Sequence, residues 1–268
     1  MRSSRIAKLA LGGLIALSGQ ALATTETPQK QTPPEPDQIV RRMCDYLKSQ
    51  QRFSYRAEVT DDRVYTGGKK LQYTFELETF VERPDKLRVN AEGDRIDKQF
   101  FYDGKTLTLY SPAAKVYATV EAPPEIEGAL EKANNDLKLR VALADLASPK
   151  LCEHLAKGQR HALYVGQSRV RGVPTDHLAF DRDDIQFQIW VETGTKPLPR
   201  KVVITQKNLP ASPQWTAYLQ DWNVSPQLKP GLFTFEAPTG VQKIKFAPVP
   251  PHATPAPAIP PAKTGGEP

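Results

Sequence analysis

Phe53-Ser54-Tyr55-Arg56-Ala57-Glu58-Val59-Thr60 sets apolar and polar side chains on alternate residues. Period two puts Phe53, Tyr55, Ala57 and Val59 on one side of a β-strand and the polar residues on the other. Gly67-Gly68 then marks a hairpin turn. The return run carries Leu71, Tyr73, Phe75, Leu77 and Val81 on one side and Gln72, Thr74, Glu76 and Glu78 on the other. Two long amphipathic strands joined by a tight turn predict an antiparallel sheet with one face against a core.

The alternation continues outward. Leu87, Val89 and Ala91 follow Pro84-Asp85, and Asp103-Gly104 turns the chain between Phe100-Phe101-Tyr102 and Leu107 to Tyr110. Val116, Ala118 and Val120 make another strand. Further strands are predicted over 163–167, 177–180, 185–191, 202–206 and 215–221, with a last short one over Leu232 to Phe235. Upstream, Asp37 is placed to cap a helix bearing Ile39, Val40, Met43, Tyr46 and Leu47. Between the two sets of strands the period changes. Ile126, Leu130, Ala133, Leu137, Val141 and Ala144 recur three or four residues apart, a helical stripe within a segment of about 123–157. Asn134-Asn135 divides the stripe, Pro149 ends it, and a short helix near Leu151 to Ala156 follows. Hairpin-length links argue against a parallel sheet. The expected fold is α+β, one strongly curved antiparallel sheet covered on one face by helices. Its apolar face either packs solid or encloses a cavity.

The ends read differently. Arg2, Arg5 and Lys8 precede the short apolar run Leu9 to Leu17, and Ala21-Leu22-Ala23 follows. This is the pattern of a secretory signal peptide over residues 1–23, with an uncleaved anchor as the alternative. The run is too short to span a bilayer. The reading predicts export to a periplasm and no stable membrane span after cleavage. Three cations leave with the peptide, so the formal charge of +6 becomes +3, too little to argue for nucleic acid. Residues 24–36 read as a Pro-rich leader, 37–246 as the single domain, and 247–268 as a disordered Pro/Ala-rich tail. The two cysteines, Cys44 and Cys152, are either a disulfide, as export permits, or two separate thiols.

Catalytic chemistry finds no anchor. There is no Gly-rich phosphate loop, G-x-S-x-G or H-E-x-x-H. His252 lies in the tail, and His154 and His161 read as surface residues. His177, beside Asp176 in a strand, lacks an accompanying nucleophile or ligand set and reads as a half-buried, hydrogen-bonded side chain. Asp181, Asp183 and Asp184 around Arg182 read as a solvated connection, and Asp94 and Asp97 as loop residues. No catalytic residue, metal site or cofactor is expected. Arg83 shares parity with Leu71 to Val81, so it either emerges at the end of the apolar face, where it needs partners, or bends into water.

Three segments resemble lipoprotein carriers of the LolA/LolB type. They are Arg83-Pro84-Asp85-Lys86-Leu87-Arg88-Val89, Asp103-Gly104-Lys105-Thr106-Leu107 with Tyr110-Ser111-Pro112, and Phe233-Thr234-Phe235-Glu236-Ala237-Pro238-Thr239-Gly240-Val241. His177-Leu178-Ala179-Phe180, Gln188-Ile189-Trp190-Val191, Pro197-Leu198-Pro199-Arg200-Lys201 and Asp221-Trp222 are similar to an uncharacterised family of predicted periplasmic proteins related to those carriers. The resemblance implies an incomplete, half-open β-barrel lidded by helices, with Arg83 bonded to lid backbone carbonyls. Leu87 stands where the carriers often have Phe. The leading expectation is a non-enzymatic protein that binds a lipid, lipoprotein acyl chains or another hydrophobic small molecule. Tyr55, Tyr73, Phe75, Leu77, Val81, Leu87 and Val89 would line the cavity, and Ile126, Leu130, Leu137 and Val141 would cover it. The alternative is an envelope sensor or adaptor that binds another protein. A hydrolase centred on His177 stands last.

Overall fold

The computed structural model describes residues 35–246. The expected signal peptide, the leader up to residue 34, the tail from residue 247 and His252 lie outside the described residues. Helix α1 (Pro36–Ser49) leads into β1 (Arg52–Val64), β2 (Lys70–Glu82), β3 (Lys86–Gly93), β4 (Ile96–Tyr102), β5 (Thr106–Ser111) and β6 (Val116–Glu121). Next come α2 (Ile126–Asn135), a 3-10 turn (Ala144–Ala147) and α3 (Leu151–Ala156). Strands β7 (His161–Val170), β8 (Val173–Asp181), β9 (Ile185–Glu192), β10 (Pro199–Gln206), β11 (Gln214–Asn223) and β12 (Gln242–Lys243) complete the described residues.

Among the described residues these strands form one open sheet in the order β12-β6-β5-β4-β3-β2-β1-β11-β10-β9-β8-β7. Two meanders, β1 to β6 and β7 to β11, are joined where β1 pairs antiparallel with β11. Every neighbouring pair is antiparallel except β12 with β6. The register aligns the apolar positions predicted from period two. Tyr55 faces Thr79 and Val59 faces Phe75 on β2, Val81 faces Leu87, and Ala57 faces Leu219 on β11. Their shared inner face holds the core. Phe53, Val59, Val81, Tyr102 and Leu107 on the strands are fully buried with Met43, Leu47 and Ile126 on the helices.

Local chemistry sets the turns. Gly104 has φ +90, where an L side chain is strained, and Asp103 Oδ1 accepts from the N–H groups of Lys105 (3.0 Å) and Thr106 (2.8 Å). Helix α1 starts one residue earlier than its expected cap. Pro36, whose φ suits a first helical turn, precedes Asp37 inside that turn.

Three expectations are corrected. The helical stripe ends at Asn135, so Leu137 and Val141 lie in irregular chain rather than on a lid helix. The N–H of Leu139 bonds back to the carbonyl of Ala133 at 2.8 Å, and Lys138 and Leu143 have positive φ, which closes the helix and re-aims the chain. Leu130, Leu137 and Val141 remain half-buried against the core. Asp97 lies on β4 and accepts the N–H of Ala113. Leu232 to Phe235 is a turn, not a strand. This segment is a strap. Phe235 packs on Phe101, Tyr110 and Tyr117 at centroid distances of 5.3, 5.2 and 4.9 Å. Arg88 bonds the carbonyl of Leu232 at 3.2 Å and lies over the Phe101 ring. Arg88, Phe101, Tyr110 and Tyr117 all have the parity opposite to the core residues of their strands, so the strap crosses the outer face. Phe235→Ala should lower stability by about 2 kcal/mol, less than for a fully buried Phe because Phe235 is half-buried. Limited proteolysis should then cut within residues 224–241 before the sheet unfolds. An uncut strap and an unmoved denaturation midpoint would show that the cluster does not hold it.

Candidate functional site

The feature that unites the expected site residues is the boundary between the inner face and the helices over it. Tyr55, Leu77, Val81, Leu87 and Val89 are each at most 3% exposed and share one core with Ile39, Met43 and Leu47 of α1 and Ile126 of α2. Tyr73 and Phe75, nearer the Gly67-Gly68 turn, are only half-buried. The Tyr73 hydroxyl is 2.7 Å from that of Tyr65, and Arg95 stacks over its ring.

The cover is made of separate pieces tied to one another. Cys44 on α1 and Cys152 on α3 form a disulfide with a Cα–Cα distance of 5.8 Å. Glu127 of α2, only 6% exposed, accepts the Ser148 hydroxyl. It also lies 3.2 Å from His154 Nε2 of α3 and 3.9 Å from Lys150 Nζ. His154, expected to be a plain surface residue, therefore joins two pieces of the cover.

The cover is tied to the sheet by polar side chains that reach its backbone carbonyls. Arg83, at the end of β2, donates from Nε to Gln50 (3.1 Å), from Nη2 to Leu47 (3.4 Å) and from Nη1 to Ala147. Burial lowers the basicity of this guanidinium. The Tyr55 hydroxyl donates to the carbonyl of Leu143 at 3.1 Å, and burial raises its pKa. The Tyr102 hydroxyl donates to Pro123 at 2.5 Å, and its pKa is pushed up to about 12, by burial first and then by nearby carboxylates led by Asp85. Trp222 packs on Tyr55 at 4.6 Å and on Phe53 at 5.9 Å, with its Nε1 bonded to the carbonyl of Pro199.

Sequence reasoning missed Arg182. Its Nη2 donates to the carbonyls of His154 (2.9 Å) and Leu155 (2.7 Å) in the last turn of α3, and its guanidinium lies over Phe187. The parity that singled out Arg83 also applies here. Leu178 and Phe180 face inward on β8, and Arg182 is the next residue of that parity. The aspartates flanking it masked the signal.

His177 has no part in this boundary. It is on the outer face, 2.9 Å from Gln188 Oε1 and stacked on Trp190 with centroids 3.9 Å apart. Lys201 lies over the rings of Trp190 and Tyr218. Burial, and to a smaller extent Lys201, lower the pKa of His177 against the Gln188 bond. A depressed histidine contributes stability that is fully present above its unfolded pKa of about 6.5 and is lost as pH falls from there through its lower folded pKa. Denaturation midpoints of His177→Gln should therefore fall less steeply than those of the parent between about pH 7 and pH 5. Parallel slopes would contradict this origin.

Among the described residues no group of three or more His, Cys, Asp or Glu side chains is arranged to hold a metal ion, and no helix is long and apolar enough to cross a membrane. A family model described as "Predicted periplasmic protein (DUF2092)" matches residues 36–247. No curated protein was found to match the chain. Solved structures similar to it include an uncharacterised conserved protein from Thermus thermophilus (8% identity, TM-score 0.46, covering 78% of this chain and 97% of that one). LprF from Mycobacterium bovis is 12% identical, with a TM-score of 0.42 over 74% of this chain and 98% of its own. A LolA superfamily protein from Nitrosomonas europaea is 10% identical, with a TM-score of 0.39 over 75% and 98%. At these scores no ligand or partner carries over.

Proposed function

The chain belongs to this family of predicted periplasmic proteins, and on that premise we propose that it is a non-enzymatic binding protein for a lipid, acyl chain or other hydrophobic ligand, received between the sheet and its helices. The observation that carries the reading is the construction of the cover. An apolar sheet face is roofed by helices stapled to one another, and side-chain hydrogen bonds to backbone carbonyls hold that roof to the sheet's rim.

The energetics suit exchange rather than filling. Moving α1 aside exposes Ile39, Met43 and Leu47, now at most 1% exposed, at about 1.5–3 kcal/mol each. A sixteen-carbon chain returns on the order of 10 kcal/mol at about 0.8 kcal/mol per methylene. The two quantities are close enough for a guest to replace the helices without a permanent hollow.

Protein isolated from a bacterial periplasm should carry extractable lipid by mass spectrometry, and delipidated protein should bind a fluorescent fatty acid. Lipid-free protein that also ignores the probe would refute the reading. A second reading, an adaptor for another envelope protein, is favoured by β7. It pairs only with β8 among the described strands and exposes Leu163 (60%) and Val165 (50%). A photo-crosslinker at position 163 should then yield one discrete protein adduct in the periplasm, and none if β7 is a plain edge.

A further inference from the structure

A cavity of about 450 Å3 opens beside the rim where Arg83 holds the cover, bounded by Gln51, Arg52, Glu82, Arg83 and residues 224–227. Its charges are uneven. Glu82 is already engaged, 3.0 Å from Arg52 and 3.9 Å from Lys86. Arg83 has no carboxylate within ion-pair distance among the described residues, and its three hydrogen-bond acceptors are neutral carbonyls. A guanidinium has five N–H donors, so about two of them are still free. A half-buried cation with neutral partners and spare donors, lining a polar cavity, is a place for an anion.

We propose that this cavity binds the oxyanion head, phosphate or carboxylate, of an amphiphile whose apolar chain enters beneath the helices. The inference rests on the apolar-ligand reading above and adds the head to it. It also couples binding to opening. The carbonyls of Leu47 and Gln50 end α1, and that of Ala147 ends the 3-10 turn. The carbonyls that Arg83 now holds carry no charge, whereas an oxyanion adds a full opposite charge and can be gripped by two parallel N–H bonds, so an oxyanion that draws Arg83 toward it weakens its hold on both pieces. The head thus loosens the roof at the point where the chain must pass. Arg52, paired across the strands with Glu82, also lines the opening and adds a second cation while it shares Glu82.

The test compares ligands on the unaltered chain. Decyl phosphate, decanoate, decanol and inorganic phosphate are titrated calorimetrically below their micelle concentrations. The two anionic amphiphiles should bind at least about tenfold tighter than decanol, and far tighter than inorganic phosphate. Arg83→Gln should bring the three amphiphiles to within about threefold of one another, and Arg52→Gln should narrow the gap by a smaller factor. Equal affinities for the three amphiphiles in the unaltered protein would overturn the anion site and leave the apolar reading standing. No binding by any of the three would overturn the apolar reading and this inference with it. Inorganic phosphate binding as tightly as decyl phosphate would make the cavity a free-anion site and overturn the amphiphile. Because the decisive comparison uses the unaltered chain, a variant that fails to fold leaves the outcome intact.

Discussion

Cys44→Ala with Cys152→Ala should lower stability by about 4 kcal/mol and the melting temperature by about 10 °C. The bond closes a loop of sequence separation 108. Chain entropy alone assigns a loop of about 100 residues roughly 4.7 kcal/mol, and removal of a native disulfide typically costs about 2–5 kcal/mol. Most of the effect acts on the unfolded chain, so the sheet should keep its native circular dichroism. The native state changes only in the cover, where α1 and α3 lose their covalent tie while Glu127, Arg83 and Arg182 still hold. Guanidinium denaturation of the parent with and without reductant checks the number. The reduced parent should match the double variant. A difference below about 1 kcal/mol would mean that the unfolded chain already keeps the two cysteines close.

The sheet was legible because period two survives wherever one face is wet. The alternation at Phe53 to Val59 and at Leu71 to Val81 identified the residues that the register now places on one face. Where the pattern was ambiguous, the reading failed for identifiable reasons. Phe233-Thr234-Phe235 alternates like a strand, yet Phe235 anchors a turn into an aromatic cluster on the outer face, and alternation alone does not reveal its partner. Leu137 and Val141 keep helical spacing because an irregular segment draped over a core also needs an apolar residue every few positions. The content of the interior was not legible at all. Apolar residues at Leu77, Val81 and Leu87 look the same whether helices or a guest cover them. The ties at the rim were half legible. Arg83 stands out because Pro84 ends its strand, whereas Arg182 sits among Asp181, Asp183 and Asp184, whose charges made a solvated loop the simpler reading.

Arg182→Ala should cost about 2–3 kcal/mol. It removes a charged donor from two carbonyls at the end of α3 and a cation from the face of Phe187. Its local consequence depends on the disulfide. With Cys44 and Cys152 joined, α3 remains tethered to α1, and α1 remains held by Arg83. Losing Arg182 then frees only the last turn of α3. Without the bond, nothing covalent opposes the departure of the whole helix. Global stability should therefore be close to additive in the cycle, because the disulfide acts on the unfolded chain and Arg182 on the folded one. Hydrogen exchange over residues 126–156 should not be. Arg182→Ala should speed it modestly with the bond present and by at least about tenfold more without it, a coupling of about 1.4 kcal/mol confined to the cover. Equal acceleration in both backgrounds would mean that α3 moves independently of α1. The cover would then open piecemeal, and a long acyl chain would need only the α3 side to enter.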